Sequence, residues 1–197
     1  MIGQLFYGWG QPLRGLLLLA SLRGTMILIR PEKSEDIESI DEINRLAFGG
    51  EAEVELIKAI RESDYFIPEL SLVAVQNDRI VGHILFSPIT IESSDNSVAA
   101  LALAPMAVVP GCQNRGIGTK LVRQGLEACK KLGYTIVIVV GHPDYYPRFG
   151  FKSAREFGLE VPFEVPEDAF LVRELVPGAL ENVRGMVKYS PAFDSVL

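Results

Sequence analysis

VVPGCQNRGIGTKL, residues 108–121, joins two kinds of sequence. Upstream, from Ala99 to Val109, nearly every position is apolar, as in a strand covered on both faces. Downstream of Thr119, apolar residues recur at helical spacing. Between the two, Gly111, Gly116 and Gly118 fall within eight residues. Glycine costs conformational entropy wherever it sits, so such a cluster marks backbone that must come close to something. The first N–H groups of a helix lack internal partners and carry partial positive charge. A strand, a glycine loop and a helix start together make an anion site.

Three phosphate-binding patterns can be laid on these letters. A Walker loop needs Lys-Ser/Thr directly after its second glycine; Gly111 and Gly116 have the spacing, but Ile117 and Gly118 follow Gly116. A dinucleotide fingerprint fits Gly116 and Gly118 but meets Leu121 at its third glycine. The third pattern, Q/R-x-x-G-x-G/A after a strand, is matched by Gln113, Gly116 and Gly118. With LAPMAVVP before the loop, GTKLVRQGLEACKKLGY after it and YYPRFGF at 145–151, the sequence resembles the GCN5-related N-acetyltransferase (GNAT) family. Residues 26 to about 155 follow the family's element order. GHPDYYPRFGF and LVRELVPGAL…GMVKYSPAF resemble its YhbS-type subgroup, which carries the likeness to about residue 193.

The element pattern agrees with that likeness. MILIR (26–30) reads as a strand broken by Pro31. Ser34 is placed to cap a helix bearing Ile37, Ile40, Ile43 and Ala47, which Gly49-Gly50 ends. A second helix runs from Glu51 to about Glu62, with Val54, Ile57 and Ile60 on one stripe. LSLVAV and RIVGHILFSPITIE, separated by QND, form a hairpin, and 93–97 is a further turn. The helix after the glycine loop extends to about Leu132, its face comprising Ile117, Leu121, Ala128 and Leu132, with Gly133 as its cap. YTIVIVV (134–140) is a buried strand, HPDYYPRFG is turn-rich with room for one helical turn, and 169–175 and 183–189 are strands. The order β-α-α-β-β-β-α-β-α-β-β gives an α/β (α+β layered) domain. The resemblance implies the GNAT fold, a mixed and mostly antiparallel sheet splayed at the acetyl-CoA strand and flanked by helices.

The chain's 197 residues suit one domain, expected over 26–197. Residues 1–25, glycine-rich and lacking acidic residues, are read as an extension or an early start, and their apolar run Leu16–Leu22 is too short to span a bilayer. Two cysteines support neither a disulfide framework nor a zinc site, so no metal is expected and a reducing, cytoplasmic setting is. A formal net charge of -6 argues against nucleic acid as a partner. No membrane association is expected, and a monomer or homodimer fits equally.

By the resemblance, main-chain N–H groups from Asn114 to Thr119 (Asn114, Arg115, Gly116, Ile117, Gly118, Thr119), with Gln113, hold the pyrophosphate of acetyl-CoA. Met106, Ala107 and Val108 supply main-chain contacts to its pantetheine arm. Pro105 interrupts the ladder there, since proline has no N–H to donate. Tyr146, four residues before Gly150, matches the family's tyrosine general acid, and its neighbour Tyr145 is the rival. A phenol of pKa ~10 is protonated at neutral pH and can donate to a departing thiolate. The base is open: neither flanking strand carries a carboxylate, and His142 and His83 are candidates beside a water chain. Glu51, Glu53 and Asp64 fall in the region expected to line the acceptor pocket. The implied activity is transfer of an acetyl group from coenzyme A to a primary amine on a small molecule or peptide. A non-catalytic acyl-CoA-binding module and a nucleotide-binding domain are the alternatives.

Overall fold

A computed structural model gives the structure of residues 26–195; the N-terminal extension expected at 1–25 lies outside the described residues. Among these, nine strands form one sheet in the order β1-β2-β3-β4-β5-β8-β6, with β9 pairing β3 and β7. The strands are β1 (Leu28–Pro31), β2 (Ser71–Gln76), β3 (Arg79–Glu92), β4 (Ser97–Val108), β5 (Ile136–Val140), β6 (Lys152–Ser153), β7 (Leu159–Glu160), β8 (Phe170–Glu174) and β9 (Gly185–Lys188). The helices are α1 (Ile37–Phe48), α2 (Ala52–Arg61) and α3 (Ile117–Lys131). Only β4–β5 and β7–β9 are parallel. The mixed, mostly antiparallel sheet is the expected one.

The β2–β3 hairpin turns on Asn77 and Asp78, at φ 50° and 58°. Two successive positive φ values match the twist of the flanking strands, and Asn and Asp tolerate them. Gly49 closes α1 at φ 77°, and Gly133 follows α3 at φ 89°. Each sheet face is covered. Ile40, Leu56, Ile57 and Ile60 of α1 and α2 pack on one side with Val73, Leu85 and Ile138. Ile117, Leu121, Val122 and Leu126 of α3 pack on the other with Phe86, Leu103 and Val139.

Several local expectations change. Ser34 does not cap α1: a 3-10 turn occupies Ser34–Asp36, and the Asp36 carboxylate accepts the Lys33 N–H at 2.7 Å while pairing with Arg30. Pro31 belongs to β1 rather than breaking it, as the edge position allows. Leu132, expected on the buried face of α3, is 45 % exposed because the helix has ended at Lys131. HPDYYPRFG holds a 3-10 turn, Tyr146–Phe149, and the two-residue strands β6 and β7 follow.

The feature that positions the site is a break in the sheet. Strand β4 pairs with β5 only at Leu101–Val137 and Ala102–Ile138. Against β3, the register slips between Ile84–Met106 and Phe86–Leu103. One residue, Leu85, thus faces two, Ala104 and Pro105, which is a β-bulge, and the peptide joining that pair is cis. The pairing with β5 has already stopped at Ala102, and Pro105, which has no N–H to donate, lies just beyond it, so the sheet splays next to the residue the sequence marked.

Candidate active site

A cavity of about 270 Å³ lies on the α3 face at the end of β4. Met106 and Val108 line it from the strand; Cys112, Gln113, Asn114 and Gly116 line it from the loop; Ile117, Gly118 and Thr119 line it from the first turn of α3. Eight of the ten residues expected to bind the cofactor therefore meet in one place. The other two differ for simple reasons. Ala107 alternates with Met106 and Val108, so it faces α1 and packs with Ile43 and Ala47. Arg115 is exposed at the loop tip and is not part of the lining.

The loop's form follows from its residues. Gln113 Nε2 donates to the Val108 carbonyl at 3.2 Å, tying the loop back to its strand. Asn114 and Gly116 take φ values of 60° and 80°. At Gly116 this left-handed conformation is the N-cap, and its carbonyl accepts the Lys120 N–H at 3.1 Å. No side chain caps this start. The N–H groups of Ile117, Gly118 and Thr119 precede the first intrahelical donor and remain available, with the helix dipole behind them.

Three lining residues were not assigned to the cofactor from sequence: Cys112, Tyr145 and Arg148. The Arg148 guanidinium carbon sits 4.8 Å from the Tyr145 ring centroid, a cation–π stack, and the group also donates to the Asp144 carbonyl at 3.1 Å. It brings a positive charge to the wall facing the loop. Tyr145 hydrogen-bonds Thr119; burial pushes its phenol up, while that bond and Arg148 work the other way. The signal for Arg148 was its place in YYPRFGF, on one short turn with the tyrosines.

Tyr146 takes a different direction from its neighbour. Its ring lies edge-on to Tyr145 at 5.2 Å and to Phe151 at 5.5 Å. It covers Gly141 at the end of β5, so closely that a Cβ there would come within 2.4 Å of the ring. Tyr146 therefore belongs to the β5 side of the splay, and Tyr145 to the α3 side. Burial drives the Tyr146 phenol well above its ordinary value, and the adjacent Tyr145 adds to this.

The remaining candidates separate as well. His142 starts the turn, its carbonyl accepting the Tyr145 N–H at 3.0 Å. Glu51 pairs with Arg45 on the surface, and Asp64 is exposed. Glu53 is 3 % exposed on α2, and burial raises its carboxyl pKa. His83 is fully buried on β3, directly opposite Ala107 of β4. Asn44 Nδ2 lies 3.4 Å from its Nδ1, and Ser71 Oγ lies 3.0 Å from its Nε2. Ser71 donates to Glu32, which also holds Arg61 at 2.7 and 3.2 Å. An amide N–H at Nδ1 leaves the ring's own proton on Nε2, so His83 is neutral and donates to Ser71. Burial lowers its pKa, and Glu32 only partly offsets this. No group of three or more His, Cys, Asp or Glu among the described residues is arranged to hold a metal ion. No described helix is long and apolar enough to cross a membrane.

Comparison with known proteins agrees with this architecture. Residues 28–154 match the family model described as an acetyltransferase (GNAT) domain. The chain is 33 % identical over 169 residues to the uncharacterized N-acetyltransferase YhbS of Escherichia coli, covering 85 % of this chain and 99 % of that protein. It is 38 % identical over 134 residues to the uncharacterized N-acetyltransferase YjhQ of the same organism, covering 68 % and 74 %. Among solved structures, YhbS from Escherichia coli in complex with CoA superimposes with a TM-score of 0.81 at 30 % identity, over 89 % of this chain and 96 % of that one. A GNAT family acetyltransferase from Brucella melitensis in complex with acetyl-CoA gives 0.70 at 30 % identity, over 86 % and 99 %. With a matching family model, relatives of this similarity and the splayed sheet in common, the chain belongs to the GCN5-related N-acetyltransferase family of acetyltransferases.

Proposed function

We propose that the domain over 26–197 transfers an acetyl group from acetyl-CoA to a primary amine on a small molecule or peptide. One observation carries this: an uncapped helix start, a glycine that leaves room beside it and the splayed end of β4 converge on one cavity. The donor set fits a polyanionic carrier. The N–H groups of Ile117, Gly118 and Thr119 suit a diphosphate, and Arg148 adds a positive charge on the cavity wall. Main-chain groups of Met106, Ala107 and Val108, freed from β5 by the splay, suit an amide-rich arm and an oxyanion. That two similar structures are complexes with CoA or acetyl-CoA supports the same assignment.

Acetyl-CoA supplies an activated thioester. The amine nitrogen bonds to its carbonyl carbon and the carbon–sulfur bond breaks. Nitrogen gives up its proton to solvent, and sulfur takes one from Tyr146. A phenol whose pKa is raised by burial stays protonated at neutral pH and donates to the sulfur as charge develops there, and solvent then restores its proton. Tyr145 then has a separate task, shaping the cofactor wall through Thr119 and Arg148.

Calorimetry with acetyl-CoA, followed by a thiol-release assay over a panel of primary amines, tests the function. Binding with amine-dependent thiol release is expected. Binding without release on any amine would instead indicate a non-catalytic acyl-CoA module, and ATP or NAD binding in place of acetyl-CoA would indicate a nucleotide domain.

A further inference from the structure

Met26, Leu28 and Leu46 are three of the six large apolar side chains left exposed among the described residues, at 86, 57 and 54 %. They share one place. Leu28 pairs with Val75, and Arg30 with Val73, across the β1–β2 ladder. Cross-strand partners point to the same face, and Val73 and Val75 pack on the α1 side. Leu28 therefore points to the α1 side at the edge of the sheet, and Met26 precedes it by two residues. Leu46 lines a cavity of about 500 Å³ on that side, between α1 and the β2–β3 hairpin. Ile43, Val75, Ile80 and Val109 give this cavity an apolar floor.

The rim of the cavity is acidic. Arg30 pairs with Asp36, and Glu35 with Lys33. The other ionisable groups there, Glu42, Asp78 and Arg79, form no ion pair among the described residues. Two carboxylates against one guanidinium leave a negative excess over an apolar floor, which suits an occupant that is apolar and basic. The chain brings such a segment to this point. Because β1 runs antiparallel to β2, the backbone before Leu28 emerges beside the hairpin turn at Asn77 and Asp78. Residues 1–25 contain Arg14 and Arg23 but no Asp or Glu, and residues 16–22 hold five leucines. Only residues 23–25 separate Leu22 from Met26, a reach of up to about 14 Å. So short a tether holds the segment near the cavity at an effective concentration of about millimolar.

We propose that residues 16–22 of this same chain dock in the groove between α1 and the β2–β3 hairpin, covering Leu28 and Leu46, with Arg23 set against the Glu42 and Asp78 rim. The docked segment backs Ile80 and Val109, which pack with Ala107 at the end of β4. Tethering favours this occupant over a separate molecule, because most of the entropy of association is already lost.

Hydroxyl-radical footprinting of the 197-residue chain, read by mass spectrometry, reports side-chain exposure in solution. Wild type is compared with the double variant Leu18→Asp, Leu19→Asp, whose two sites are adjacent, so that the contact is lost whichever of them faces the groove. Taking a leucine out of a buried contact weakens it about tenfold or more, so labelling of Leu28 and Leu46 should rise at least about twofold in the variant. Leu132 and Val176, exposed elsewhere, are internal standards and should not change. In the reverse direction, Leu46→Asp should raise labelling of residues 16–22. Equal labelling of Leu28 and Leu46 in wild type and the double variant overturns the proposal. Protection of Leu46 that disappears on dilution and survives Leu18→Asp, Leu19→Asp gives the groove to a second copy of the chain, and overturns it as well. None of these outcomes bears on the acetyl-transfer reading, which the thiol-release assay tests separately.

Discussion

The Tyr145 hydroxyl lies 2.6 Å from the point where a side chain on Gly118 would begin. Gly118 is therefore small because a phenol, and not only a ligand, occupies the space beside it. The Cβ position is also 3.6 Å from the Met106 sulfur, so one missing methyl lets loop helix, strand and aromatic turn meet in one cavity. Gly118 lies in the first turn of α3, where alanine gains at most about 1 kcal/mol over glycine. Gly118→Ala should thus leave the melting temperature within a few degrees while displacing Tyr145. Acetyl-CoA affinity by calorimetry should fall about tenfold, and unchanged affinity would remove this cavity from the cofactor site.

The two adjacent tyrosines should separate kinetically. Tyr146→Phe removes the proposed acid and should lower kcat about 10²-fold or more with little change in the KM for acetyl-CoA. Tyr145→Phe removes the bond to Thr119 and should act on that KM, leaving kcat within about threefold. If the two phenotypes are exchanged, the acid is Tyr145 and its partner is a packing residue.

Much of this was legible in the letters because the glycine loop is local. Gln113, Asn114, Gly116 and Gly118 are consecutive or nearly so, and their conformations follow from residue type. Pro105 marked the splay for the same reason: a residue without an N–H weakens a ladder wherever it stands. Arg148 and Tyr145 were harder, since their relation to Gly118 depends on a close approach across the sheet's end. The Glu32–Ser71–His83–Asn44 line was beyond reach, because it joins three elements and the loop after β1 through side chains. His83 was noticed as a residue type, but its lack of exposure and its neutral tautomer come from tertiary packing alone.

That buried line predicts a loss of stability in acid. His83 has a folded pKa below its ordinary value, so on acidification the unfolded chain takes up a proton before the folded one. Stability is unaffected by this group above about pH 6.5 and declines as pH falls below it. Glu32 acts lower down: burial opposes its charge, but His83, Arg61 and Ser71 outweigh that and bring its pKa to about 2. Its contribution, on the order of 3 kcal/mol, is complete above about pH 4.5 and fades as pH drops toward the folded value. Thermal melts should therefore fall between about pH 7 and 5, and His83→Gln should flatten that part of the curve. Glu32→Gln should cost stability at neutral pH and make little difference near pH 2. A pH profile identical in wild type and His83→Gln would exclude His83 as the source.

Gly125 offers a test in which two effects of opposite sign compete. It sits in mid-α3, where replacing glycine with alanine ordinarily stabilises by about 1 kcal/mol. Yet a Cβ at Gly125 would come 2.3 Å from Phe86 Cε2 and 2.7 Å from its Cζ. Phe86 is 0 % exposed on β3 and packed among Ile84, Leu101 and Leu121, so its ring cannot swing aside. Overpacking of this kind costs about 1–3 kcal/mol, which exceeds the gain in helix propensity. Gly125→Ala should therefore lower stability in denaturant melts. Phe86→Leu opens a cavity and is destabilising alone, but the extra methyl partly fills it. The double variant should then be more stable than the sum of the two single losses, by about 1 kcal/mol of coupling. Strict additivity would mean that α3 shifts away from β3 to admit the methyl, and acetyl-CoA affinity would then drop with it, since the same helix carries the donors at Ile117, Gly118 and Thr119.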